Sequence, residues 1–388
     1  AVRLLRKYGL PRFHNRLQEM NFRKINKPAN YYGLSLILGG AESSLLEITN
    51  AYAGLASTLN FFNRSSSEYR SNEFDKPQFV LEQAFNHGEK QTNPEVIDAG
   101  AIYKTFEALR EVNRPIGEQN WNYFSSSQPI AWKTGTSFGF KDAWAIGVTS
   151  KYAIGVWVGN ADGEGRPGLT GVEAAAPILF EVLDILPKSD WFATPYDELM
   201  EAEICGKSGH LASLYCEEVA TEFIPKNGMI TQPCSYHQQV FLTQNEMERV
   251  NSSCYPLASM KQKNWFVLPP VQEYYYSNSH PEYRPLPPFK QDCLKDGEEL
   301  MDFIFPKKNE TILLANDFNS NSSEVIFKLA HRTPETKVYW YLDESFIGIT
   351  STFHELAYEP LPGQYTLTAV DQNGNETRQT IEISRASL

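Results

Sequence analysis

Three β-rich runs, "PIAWKTGTS" (129–137), "DAWAIGVTS" (142–150) and "YAIGVWVGN" (152–160), follow one another with very short links. Parallel strands need a crossover of a dozen or more residues, so this spacing predicts an antiparallel meander. Helical periodicity flanks it on both sides. After Gly39-Gly40 a helix opens near Glu42 or Ser43, with Leu45, Leu46, Ile48, Thr49, Tyr52 and Ala53 at helical intervals. Ile97, Ile102, Phe106 and Leu109 mark another, and "GVEAAAPILFEVLDIL" a third. Residues 1 to about 29 read as one helix ending in the polar turn "NKPAN". Helices around an antiparallel sheet predict an α+β domain over 1–188.

The pattern then changes twice. From 189 to 298 periodicity fades while Pro, Tyr and Cys accumulate, which predicts a loop-rich connecting segment held by cross-links. From 299 to 388 short alternating runs recur, with Asp371-Gln372-Asn373-Gly374 as a hairpin turn, and predict an immunoglobulin-like β-sandwich with Trp340 in its core. All five cysteines, Cys205, Cys216, Cys234, Cys254 and Cys293, lie in the middle segment. They are disulfide candidates, with Cys254–Cys293 the first pairing expected, flanking the Pro/Tyr-rich stretch. Cys205, Cys216, Cys234 and His237 are the alternative, a Cys₃His metal set, although spacings of 11 and 18 residues fit no standard finger. The expectation is bridges and no metal. His354-Glu355 lacks the second histidine of a zincin and reads as surface strand.

The net charge of −12 makes nucleic acid a poor partner, because phosphate binding needs a basic face. No run approaches 18 consecutive apolar residues, so none reads as a membrane helix. The chain starts Ala1-Val2-Arg3 inside what reads as an amphipathic helix, which suggests a fragment lacking its N-terminal part.

Lys133-Thr134-Gly135-Thr136-Ser137 opens the first strand of the meander, where apolar residues would be ordinary. A K-T-G arises by chance in a chain this long roughly one time in ten. Its position gives it meaning. Lys133 puts positive charge at a strand edge, and Thr134 and Thr136 share one face and can donate to one anionic group. Gly135 leaves the approach open, so the Thr136 N–H can point at a developing oxyanion. Without a ligand, the same lysine would simply protect an edge strand.

The stretch from 133 to 186 resembles the end of the transpeptidase domain of class A penicillin-binding proteins. Lys133-Thr134-Gly135-Thr136 is followed by Asp142, Trp144 and Gly147, then Val156 to Asn160, Thr170-Gly171 and Ala175 to Ile178. The cysteine segment with "CSYH" and "FVLPP", and the terminal sandwich, resemble the 1C type. The resemblance implies a serine D,D-transpeptidase of peptidoglycan synthesis that needs no cofactor. Lys133, Thr134, Gly135, Thr136 and Ser137 would bind the carboxylate of a D-alanyl-D-alanine stem peptide or a β-lactam. The Thr136 N–H would form half of the oxyanion hole, and Asp142 and Trp144 would be structural. It also implies a cell-envelope location on the periplasmic side, with a glycosyltransferase domain and membrane anchor upstream. The terminal sandwich could dock an envelope protein.

Two motifs of that family are missing. No serine has lysine three residues later, and S-x-N does not occur, so the chain contains no nucleophile. It is therefore expected to be inactive alone. The alternative is a non-catalytic envelope module that retains a relic half-site.

Overall fold

The computed structural model describes residues 1–77, 88–112, 128–291, 293, 299–308, 310–314, 324–333 and 335–385. The chain divides into two compact units. One comprises Ala1–Ala202 with Thr221–Thr231, the other Glu203–Ala220 with Gln232–Leu388. The expected connector 189–298 is thus shared between them, and its expected end at 298 falls outside the described residues.

The first unit opens with two helices rather than one, α1 (Val2–Tyr8) and α2 (Leu10–Glu19). Gly9, at φ +98°, breaks the expected single helix. Pro11 then stands in the first turn of α2, where its missing N–H costs nothing. A short helix α3 (Ala29–Tyr32) follows, and a small apolar cluster of Ile25, Tyr32 and Leu36 holds this region. The long helix α4 (Leu45–Arg64) starts two or three residues later than the sequence suggests, because Ser44 and Glu47 form a reciprocal capping box. Two short strands, β1 (Tyr69–Arg70) and β2 (Lys90–Gln91), pair antiparallel, and α5 (Ala99–Arg110) is capped by Asp98.

The meander has the expected form. Strands β3 (Ala131–Thr136), β4 (Asp142–Val148) and β5 (Ala153–Gly159) make an antiparallel sheet in the order β3-β4-β5. After a π-helical turn at Gly171–Ala175, α6 (Ala176–Ile185) covers one face. Ile130, Trp132, Ala143, Ala145, Ile154 and Val156 pack there against Leu179, Phe180 and Leu183. On the other face α4 and α5 bring Leu59, Phe62, Ile102 and Phe106 against Ala131 and Val148. Alternate residues of each strand serve opposite layers. A Cβ at Gly155 would fall 2.0 Å from Thr49 Oγ1 of α4, so the helix lies directly on the strand backbone.

The segment after α6 carries β6 (Leu199–Cys205), β7 (Val219–Pro225), β8 (His237–Leu242), β9 (Lys261–Phe266) and α7 (Pro270–Ser279). Strands β8 and β9 pair antiparallel. The terminal domain is a β-sandwich. Strands β10 (Met301–Phe305), β12 (Val325–His331) and β15 (Glu355–Tyr358) form one sheet in the order β10-β12-β15. The other, ordered β11-β17-β16-β13-β14, contains β11 (Thr311–Leu314), β13 (Val338–Leu342), β14 (Ser345–Thr350), β16 (Gly363–Asp371) and β17 (Glu376–Arg385). Trp340 is fully buried between them against Phe303 and Phe327, and its indole N–H donates to Thr350 Oγ1 at 2.8 Å. His354 is not on the surface as its sequence context suggests. It is 5% exposed, with Nδ1 3.1 Å from the same Thr350 hydroxyl, and only the following Glu355 lies on an exposed strand. Among the described residues no helix is long and apolar enough to cross a membrane.

Candidate active site

Strand β3 lies at the edge of its sheet, bonded to β4 on one side. Ser137 N–H donates to Asp142 O at 3.0 Å and closes the β3–β4 turn. In an antiparallel ladder such bonds recur at every second residue. Gly135 and Lys133 therefore also turn their N–H groups toward β4, while Thr134 and Thr136 turn theirs toward the open edge. The amide expected to meet an oxyanion thus faces outward.

The side chains divide differently. Thr134 and Thr136 share a face with Trp132, whose ring lies 5.1 Å from that of Phe180 in α6. Lys133 and Gly135 share the opposite face with Ala131, on the side of α4 and α5. Lysine and threonines therefore flank the strand edge from opposite sides instead of converging from one. Lys133 is exposed, and its Nζ donates to Thr134 O at 2.6 Å.

Thr136 gains its orientation from a residue that the motif alone does not identify. Gly171 N–H donates to Thr136 Oγ1 at 3.0 Å. With a lone pair so engaged, the hydroxyl proton is available for an outside acceptor. Gly171 comes this close because it is glycine. A Cβ there would sit 2.6 Å from both Gly135 O and Trp144 O, and 2.9 Å from Thr134 Cβ. Thr170 caps the turn, accepting from Glu173 N–H at 3.3 Å. The Thr170-Gly171 pair is visible in the sequence, but its link to Thr136 is a long-range contact that spacing does not encode.

Gly135 itself is unconstrained by the chain. A Cβ would meet Trp144 at an ordinary 3.7 Å, so a need for glycine would have to come from a ligand. Ser137 Oγ accepts from Asp142 N–H at 2.8 Å and thereby holds the turn. Asp142 Oδ1 in turn accepts from Trp157 Nε1 at 2.9 Å, and Trp157 lies directly across from Trp144. Those contacts brace the β3–β4–β5 turns.

The cysteines separate into two groups. Cys254 and Cys293 form a disulfide, with Cα atoms 4.9 Å apart. Cys205, Cys216 and Cys234 are free thiols, which corrects the expectation that further bridges use them. All three lie around His237 Nδ1, at 3.5, 3.4 and 3.4 Å. Burial works against the Cys205 thiolate, but hydrogen bonds from the Ser208 side chain and from the Ser208 and Lys207 N–H groups outweigh it, and the thiol is held below its ordinary value.

Comparison with known proteins finds similarity over parts of the chain. Residues 290–383 match the Penicillin-Binding Protein C-terminus Family. Penicillin-binding protein 1C of Escherichia coli is 31% identical over 186 residues, 48% of this chain and 21% of that protein. Both matches make the chain similar to the C-terminal part of class A penicillin-binding proteins. Penicillin-binding protein 1A of Neisseria cinerea is 28% identical over 176 residues, 45% of this chain. The crystal structure of penicillin-binding protein 1A from Haemophilus influenzae covers 60% of this chain and 39% of that one, at 19% identity and a TM-score of 0.40. The matched stretch spans about a fifth (21%) of the length of these curated relatives.

Proposed function

We propose that β3 is one wall of a peptidoglycan D,D-transpeptidase site on the periplasmic face of the cell envelope. Its nucleophilic serine and general-base lysine would come from sequence outside these 388 residues. The observation that carries this reading is the pair of outward donors on Thr136, the backbone N–H at the open edge and the hydroxyl tethered by Gly171. Such a pair suits an acyl donor that carries a carboxylate beside a reacting carbonyl.

In the proposed reaction the serine oxygen attacks the carbonyl carbon of the penultimate D-alanine. The Thr136 N–H stabilises the negative charge on the carbonyl oxygen. Collapse expels the terminal D-alanine as the protonated amine, and an amine from a neighbouring stem peptide then captures the acyl group and frees the serine. Thr134 and Thr136 donate to the substrate carboxylate, while Lys133 raises the local positive potential from the other side of the strand. A β-lactam would enter by the same contacts and acylate the same serine.

A second reading is a non-catalytic envelope module, favoured by the lack of S-x-x-K and S-x-N in this chain. Lys133→Ala tests the first reading in the protein that carries all three motifs. Acylation by a labelled penicillin is expected to slow by about 10- to 1000-fold, the range of such electrostatic effects. Thermal stability is expected to stay nearly constant, because Lys133 is exposed. Equal loss of acylation and stability would instead assign the lysine to protection of the edge strand.

A further inference from the structure

The convergence of Cys205, Cys216, Cys234 and His237 has a geometry of its own. Cys205 ends β6 and His237 begins β8, while Cys216 and Cys234 stand in the loops between. Cys205, Cys234 and His237 are 1, 4 and 5% exposed, and Cys216 is half-buried. Their potential ligand atoms all lie within 4.8 Å of one another.

Hydrogen bonding does not account for this arrangement. A neutral imidazole nitrogen offers either one lone pair or one N–H, yet three sulfurs lie 3.4–3.5 Å from His237 Nδ1. Tetrahedral coordination does account for it. Zinc bonds of ~2.3 Å to sulfur and ~2.05 Å to nitrogen put sulfur and nitrogen about 3.6 Å apart across a tetrahedral edge.

Hydrogen-bond donors approach all three sulfurs, although burial pushes the Cys216 thiol up. Ser208 Oγ–H donates to Cys234 Sγ at 3.2 Å, and Ser213 N–H to Cys216 Sγ at 3.3 Å. The N–H groups of Lys207 and Ser208 donate to Cys205. Donors of this kind orient metal-ligating side chains and stabilise their charge. The turn Cys205–His210 is fixed by Gly209 N–H to Cys205 O at 2.9 Å and Cys205 N–H to His210 O at 2.8 Å, with Gly209 at φ +67°.

Disulfide chemistry fits less well. Three thiols cannot all be paired among themselves, and the remaining two cysteines already form a bridge. Apolar support in the region is modest, with Leu242, Val250, Phe266 and Leu268 buried outside the large clusters. Among the described residues, none of the four main apolar clusters includes a residue from 203–291.

We propose that Cys205, Cys216, Cys234 and His237 hold one structural zinc ion. Four protein ligands leave no open position for water or substrate, so the ion cross-links the segment and performs no catalysis. Its binding free energy would contribute directly to the folding of this segment.

The test uses the full protein, purified without added metal or reductant. Elemental analysis is expected to find one zinc per chain. Replacement by Co²⁺ is expected to give a thiolate-to-cobalt charge-transfer band and the visible bands of tetrahedral cobalt. Cys216→Ser is expected to lower zinc content by more than about tenfold, a loss that removal of an outer hydrogen-bond partner alone can reach. The cobalt spectrum of the unaltered protein decides the matter even if that variant fails to fold. A metal-free protein with three reduced thiols would overturn the proposal, as would a disulfide between any two of the three, or a cobalt spectrum without thiolate bands.

Discussion

At the residue scale, Thr136 would serve the proposed site and the fold through different atoms. Its hydroxyl oxygen satisfies the buried Gly171 N–H, which leaves its proton and its outward N–H available to a ligand. Thr136→Val keeps the shape and removes the hydroxyl. It leaves the Gly171 N–H without its acceptor, so a stability loss of about 1–3 kcal/mol is expected in chemical denaturation. Acylation by labelled penicillin should fall as well, because the carboxylate donor is gone. Full retention of both would show that the Thr136–Gly171 bond does not matter. Thr134 and Thr136 were legible as a same-face pair from strand alternation alone. Gly171 was not, since its role depends on a contact 35 residues away and on the space a Cβ would occupy.

At the element scale, local rules carried the reading where the interactions are local. The three strands of the meander follow from short links and β-rich composition, and the β16–β17 hairpin follows from Asp371-Gln372-Asn373-Gly374. The first helix failed as a single element because one glycine and one proline outweigh the apolar periodicity around them. His354 was misread because burial in a sandwich depends on which face meets the opposing sheet. The hairpin also makes a pH prediction. Asp371, 2% exposed, accepts from Asn373 N–H at 2.8 Å, Asn375 N–H at 2.9 Å and Asn375 Nδ2 at 2.7 Å, with His331 Nε2 at 3.3 Å. Burial pushes its carboxyl up, but these hydrogen bonds prevail and hold it below the usual range. A folded pKa below the unfolded value of ~3.9 adds stability above that pH, and this is lost as pH falls through the folded value. The unfolding free energy of the terminal domain should therefore decline on acidification below about pH 5, and decline less in Asp371→Asn. Equal acid sensitivity of the two proteins would contradict this role for Asp371.

At the scale of the whole molecule, the sandwich and the sheet with its helical layers each have an apolar core, Trp340 at the centre of one and Trp132 in the other. The segment around the free cysteines buries fewer apolar residues, among them Leu242, Val250 and Phe266, and carries the Cys254–Cys293 disulfide. The sequence marked that segment through its cysteines, but thiol pairing and thiol coordination share the same residues, and only three-dimensional convergence on His237 separates them. The proposed wall was legible because K-T-G-T and the residues of its downstream resemblance lie within one continuous stretch. The most direct test of the account compares penicillin acylation of residues 1–388 with that of the same protein extended to include S-x-x-K and S-x-N. The account predicts covalent labelling of the extended protein and none of the shorter chain. Labelling of residues 1–388 alone would contradict it, because it would require a nucleophile that this chain is held to lack.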